Sequence, residues 1–137
     1  DQIIAHFYRG KAMQEAKDYT NAIAEFKTVA NMTKSETGAE ARYSIADSYL
    51  QQNDLEAAEK AGFDVIKNTS SYEYWVAKSY ILLGDVYARQ QDYFNAKATY
   101  QSIVTNSTIP ELKQEAKEKL EKAEAEEKAA GKKPKKQ

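Results

Sequence analysis

The chain has 137 residues, room for one domain of ordinary size, and a net charge of −1 although 30% of its residues are charged. That balance offers no concentrated basic surface of the kind nucleic-acid binders carry, so no nucleic-acid partner is expected. The absence of cysteine excludes disulfides and thiolate chemistry, and no apolar run approaches the length of a membrane span.

The chain opens at Asp1 inside a helical pattern, without Met, which reads as a fragment or a processed chain. Apolar spacing is helical throughout, and strand alternation is absent. Helices are predicted over about 2–15, 18–31, 37–51, 54–67, 71–90, 92–105 and 109–130. Asp18, Asp54 and Asp92 each precede an apolar-periodic run, where a carboxylate accepts the free N–H groups of a first turn. The other starts read as capping boxes: Thr37 with Glu40, Ser70 with Glu73, and Thr108 with Glu111. The alternation of Asp with Ser/Thr marks a two-helix unit.

The last predicted helix differs in kind. Leu112, Ala116, Leu120 and Ala123 form one narrow apolar stripe, and Glu115–Lys119, Glu118–Lys122 and Glu124–Lys128 are spaced to pair on the surface. One sticky face among soluble ones suits a capping helix. The basic stretch 131–137 has nothing to bury and is expected to be a disordered tail.

Three stretches repeat one pattern. Gly10, Ala46 and Gly84 are each followed three residues on by a large residue (Met13, Tyr49, Tyr87), then by Asp18, Asp54 or Asp92, then by Ala22, Ala58 or Ala96. Phe26, Gly62 and Tyr100 come next, then Val29, Val65 and Ile103. This pattern resembles the tetratricopeptide repeat (TPR). Small residues let the two helices of a unit approach closely, and large ones fill the space beside them. The resemblance implies an all-α, right-handed solenoid of three helix pairs, about 2–34, 37–69 and 71–106, plus a C-terminal capping helix over 109–130, the whole forming one TPR domain over 1–130.

Gly10, Ala46 and Gly84 stand 36 and 38 residues apart, against the usual 34. That longer spacing, and the phrase Tyr80-Ile81-Leu82-Leu83-Gly84-Asp85-Val86-Tyr87, resemble the bacterial envelope TPR proteins of the BamD and TolA-binding-protein type. The stretch 72–80 is similar to the C-terminal repeats of larger proteins of the same kind. The resemblance implies a periplasmic or outer-membrane-associated location, with a cytoplasmic one as the alternative.

Repeats of this kind bind along a concave groove. The resemblance places Phe7, Lys11, Gln14, Tyr43, Asp47, Leu50, Lys78, Ile81, Asp85 and Arg89 there, facing a protein or peptide partner. A carboxylate clamp of the chaperone-binding kind is excluded, because Lys78 alone matches its pattern and one ammonium cannot replace five groups. His6 is the only histidine, and with no cysteine beside it neither a catalytic nor a metal site is expected. No cofactor is expected, and the chain reads as a non-catalytic scaffold. The alternative is a structural segment of a longer solenoid with its partner site elsewhere.

Three further expectations follow. Asn31, Asn68 and Asn106 begin glycosylation-like triplets, but helix ends explain them better, with Asn as a left-handed cap. Ile3, Ile4 and Phe7 belong to a first helix with nothing before it, so they should be exposed and support a homodimer. Gly62 replaces a ring inside a helix, so Trp75 or Tyr72 should lie over it, with Tyr74 the other ring nearby.

Overall fold

The computed structural model describes residues 1–131, and the expected basic tail, apart from Gly131, lies outside the described residues. Seven helices follow one another: α1 Gln2–Glu15, α2 Tyr19–Met32, α3 Glu36–Gln51, α4 Leu55–Asn68, α5 Glu73–Arg89, α6 Tyr93–Asn106 and α7 Pro110–Gly131. No strand occurs among the described residues. Each helix packs against the next in sequence. In addition α1 touches α3, α3 touches α5 and α5 touches α7, whereas α2 and α4 are not in contact, nor are α4 and α6. The odd-numbered helices therefore form a continuous inner row and the even-numbered ones a spaced outer row. This is the layout of a helical solenoid.

The turns within the pairs are the same three times. Lys17, Asn53 and Gln91 adopt left-handed backbone at φ 62°, 59° and 60°. The following N–H groups of Asp18, Asp54 and Asp92 donate back to Met13, Tyr49 and Tyr87 carbonyls. That bond and the one from the left-handed residue make a Schellman end to the first helix. The same three aspartates then cap the second helix, accepting from the N–H of Asn21, Ala57 and Asn95. One short side chain thus closes one helix and opens the next.

The junctions between pairs depart from the capping boxes. Ser35 rather than Thr37 stands at the start of α3, and Tyr72 rather than Ser70 at the start of α5, and neither side chain caps its helix. At α7 Ser107 accepts from the Ile109 N–H, while Thr108 donates to Glu73 at 2.6 Å. Asn31, Asn68 and Asn106 do not take left-handed backbone; the chain leaves α2 and α6 extended, at Thr33 and Ser107. The left-handed residues sit inside the pairs instead.

Arg42 does the work of a cap at the first junction. Its side chain is buried, and it donates from Nη2 to the Ala30 carbonyl at 2.8 Å and from Nη1 to the Thr33 carbonyl at 3.1 Å. A guanidinium from α3 therefore satisfies the last carbonyls of α2 and sits at the negative end of its dipole.

Packing within the pairs follows the small–large logic. A Cβ on Gly10 would meet Phe26, and one on Gly84 would meet Tyr100. In the middle pair the ring is missing, and its space is not filled by Trp75 or Tyr72. Leu83 of α5 takes it, with Cδ2 3.1 Å from where a Gly62 Cβ would stand. Leu83 faces α4 from the body of α5, whereas Trp75 sits two turns earlier against Tyr43 of α3. In α7, Leu112, Ala116 and Ala123 are buried as the stripe required, and Glu115 pairs with Lys119 at 3.4 Å. Lys122 turns to Glu126 rather than to Glu118.

The first helix is less bare than expected. Phe7 is buried, edge-on to Phe26 and Tyr8, and Ile3 is half covered. The exposed large apolar residues of α1 are Ile4 and Tyr8, at 52% and 65%.

Candidate functional site

The inner face is built from α1, α3, α5 and α7. Three of the residues expected there, Phe7, Leu50 and Ile81, are buried in the core and present nothing to a partner. Phe7 and Ile81 join the cores of their own pairs, and Leu50 packs with residues of α4 and α5. Lys11, Gln14, Tyr43, Asp47, Lys78, Asp85 and Arg89 remain at least partly accessible.

These residues are already linked to one another across the repeats. Lys11 pairs with Glu40 at 3.1 Å, and Gln14 reaches Asp47 and Ser48, both at 3.3 Å. Arg89 donates to the Leu50 carbonyl at 2.7 Å, tying the end of α3 to the end of α5. Lys78 lies 5.5 Å from the Tyr43 ring and 3.5 Å from Glu115. Asp85 accepts from the Tyr100 hydroxyl at 2.5 Å and pairs with Lys119 of α7 at 2.6 Å. The two equivalent aspartates therefore have separate jobs, Asp47 holding α1 to α3 and Asp85 holding α7 to α5.

Burial, and after it the carboxylate of Asp85, raises the Tyr100 phenol above its ordinary value. Burial also raises Tyr43, with Asp47, Glu115 and Asp85 adding to the effect. Both phenols therefore serve as neutral groups. Near the N-terminal end, His6 Nδ1 lies 2.5 Å from a Glu25 oxygen and 2.8 Å from Arg9 Nη2, donating to the carboxylate when it carries the proton and accepting from the guanidinium when it does not. The bond to His6, more than the neighbouring Arg9, lowers the Glu25 carboxyl. His6 is thus engaged in an α1–α2 pair. No group of three or more His, Asp or Glu side chains among the described residues is placed to hold a metal ion.

An aromatic cluster was missed as a unit in the sequence. Trp75 stacks at 42° on Tyr43 with centroids 5.5 Å apart, and Tyr74 meets Trp75 edge-on at 4.8 Å. Tyr74 stays 38% exposed. The signal was the run of rings at 72–75, which the missing ring at Gly62 drew toward the wrong helix.

Paired helices, glycine–ring contacts within pairs and a continuous inner row define a TPR-like α-solenoid. The tetratricopeptide repeat family model matches residues 74–107, which span α5 and α6. The chain matches no curated protein. No helix among the described residues is long and apolar enough to cross a membrane.

Proposed function

We propose that the chain is a non-catalytic scaffold that holds a protein or peptide partner along its inner face. The observation that carries this reading is the Tyr43–Trp75–Tyr74 cluster beside Lys78, an accessible aromatic surface at the middle of the groove. Aromatic anchors with a polar surround are what protein interfaces use most. Lys11, Gln14, Asp47, Asp85 and Arg89 would supply the polar surround. Their mutual pairing holds them in place before a partner arrives, which lowers the entropic cost of binding.

The proposal extends to setting. The lengthened spacing between repeats supports a bacterial envelope protein of the BamD and TolA-binding-protein type, working in the periplasm or at the outer membrane. It also takes 1–130 as one TPR domain.

Trp75 is the only tryptophan, so its emission reports on the cluster directly. A partner captured from envelope extract should shift that emission, and Tyr74→Ala with Lys78→Ala should abolish capture while circular dichroism stays unchanged. Capture that survives both substitutions would reject the inner face as the site.

The exposed Ile4 and Tyr8 favour a second reading, in which α1 packs on a further helix, from a longer solenoid or a second copy of this chain. Light scattering of the wild type and of Ile4→Glu separates the two. A dimer lost on substitution supports end-to-end packing, and a monomer at high concentration counts against the second copy.

A further inference from the structure

The outer face carries a feature that the inner-groove reading does not use. Because α2 and α4 do not touch, an open cleft of about 460 Å³ lies between them, floored by α3. Its floor is Ile45 and Tyr49, with small alanines, Ala30, Ala57 and Ala61, along its walls. Lys27 from α2 and Lys60 from α4 also line it. Neither lysine is ion-paired among the described residues, although the Lys27 ammonium lies 5.7 Å from the Tyr49 ring.

Arg42 stands at the bottom. Its side chain is more than nine-tenths buried, and its Nε has no hydrogen-bond partner. Asp64 Oδ2 is 3.2 Å from that nitrogen but off the hydrogen-bond axis, and its other oxygen is taken by Asn68. Three cations and one carboxylate thus line the cleft. The buried guanidinium keeps the floor of the cleft positive beneath the two lysines. The next junction does not repeat the arrangement: Tyr80 holds the position of Arg42 and Leu83 that of Ile45, and Leu83 is already packed on Gly62.

We propose that this cleft is a second docking site, which takes an acidic segment of a partner protein. The segment would set an apolar side chain on Ile45 and Tyr49 and place flanking carboxylates against Lys27 and Lys60, with Asp64 kept beside Arg42. Charge complementarity selects the occupant. A second copy of this chain would have to bring its own acidic segment, and a neutral apolar segment would leave the two lysines unused.

The probe is a fluorescein-labelled peptide with Glu-Leu-Glu in an alanine–serine background, compared with the same peptide carrying Gln-Leu-Gln. Amide shifts are followed by NMR on the full chain. The Glu peptide should shift the amides of Lys27, Lys60 and Asp64 and bind at least about tenfold tighter than the Gln peptide. Lys27→Glu with Lys60→Glu, both on the accessible rim, should remove that advantage and leave helicity unchanged. Four results would overturn the proposal: equal binding of both peptides, shifts confined to the inner face, no shifts at millimolar peptide, or the same shifts from inorganic phosphate alone. Loss of inner-face capture in the Tyr74 and Lys78 variants would leave this site untouched, so the two readings fail separately.

Discussion

Tyr100 lies so close to Gly84 that a Cβ on the glycine would stand 2.8 Å from the ring carbon Cδ1. The pair fixes how near α5 and α6 come, and the same ring carries the hydroxyl that holds Asp85. Gly84→Ala must therefore separate the helices or displace a buried ring that is bonded at its far end. The expected cost is about 1–3 kcal/mol by chemical denaturation. Gly62→Ala should cost less, because its neighbour is the tip of Leu83 and alanine regains about 1 kcal/mol of helix propensity. The reverse order would contradict the packing described above.

Arg42→Met should cost about 2–3 kcal/mol. The methionine fills the volume but orphans the Ala30 and Thr33 carbonyls and leaves Asp64 without its cation. Arg42→Lys should recover only part of the loss, since one ammonium cannot span two carbonyls as a fork does. Hydrogen exchange gives the location: protection should fall first in the last turn of α2.

Alkaline titration tests the two most strongly shifted phenols, Tyr87 being raised less. Both Tyr43 and Tyr100 are raised above the ordinary value of about 10. Their contribution to stability is fully present below the unfolded-state pKa. It is lost progressively as pH rises through about 10 toward the raised folded values. Absorbance of the phenolate should therefore reveal Tyr43 and Tyr100 ionising last, after Tyr87 and the ordinary phenols. In Tyr100→Phe one late tyrosine should disappear, while a profile of ordinary phenols throughout would refute the buried Asp85–Tyr100 bond.

Lys17→Gly and Gln91→Gly should each stabilise the fold by roughly 0.5–1 kcal/mol. Both positions are held at positive φ, where a Cβ is strained, and glycine removes that strain at a smaller cost in unfolded-state entropy. Lys17→Ala should give no such gain in melting experiments.

What could be read from the chain divides along the two kinds of turn. Within a pair, Asp18, Asp54 and Asp92 stand at fixed offsets from Gly10, Ala46 and Gly84, and they cap as that spacing requires. Those signals are local, so sequence carries them. Between pairs, the bonds that replace the capping boxes come from distant residues. Arg42 reaches back to Ala30, and Thr108 reaches Glu73. No short window contains both partners. Gly62 shows the same limit: the gap was legible, but its occupant depended on how α5 rotates against α4. Among the groove residues, Phe7, Leu50 and Ile81 share repeat positions with accessible ones, and only the packing of adjacent pairs distinguishes them.

The unequal spacing of the two rows gives the molecule a mechanical axis. Inner helices bear on one another directly, while α2 and α4 are joined only through α3. A change in the angle between the first two pairs must therefore be taken up where α3 packs against α1 and α2. A wedge between α2 and α4 would act as a shim on a hinge. It would turn one pair relative to the next and shift Lys11 and Gln14 on α1 against Tyr43 and Asp47 on α3. Load applied on the back of the rod would thereby become a change of pitch along its front.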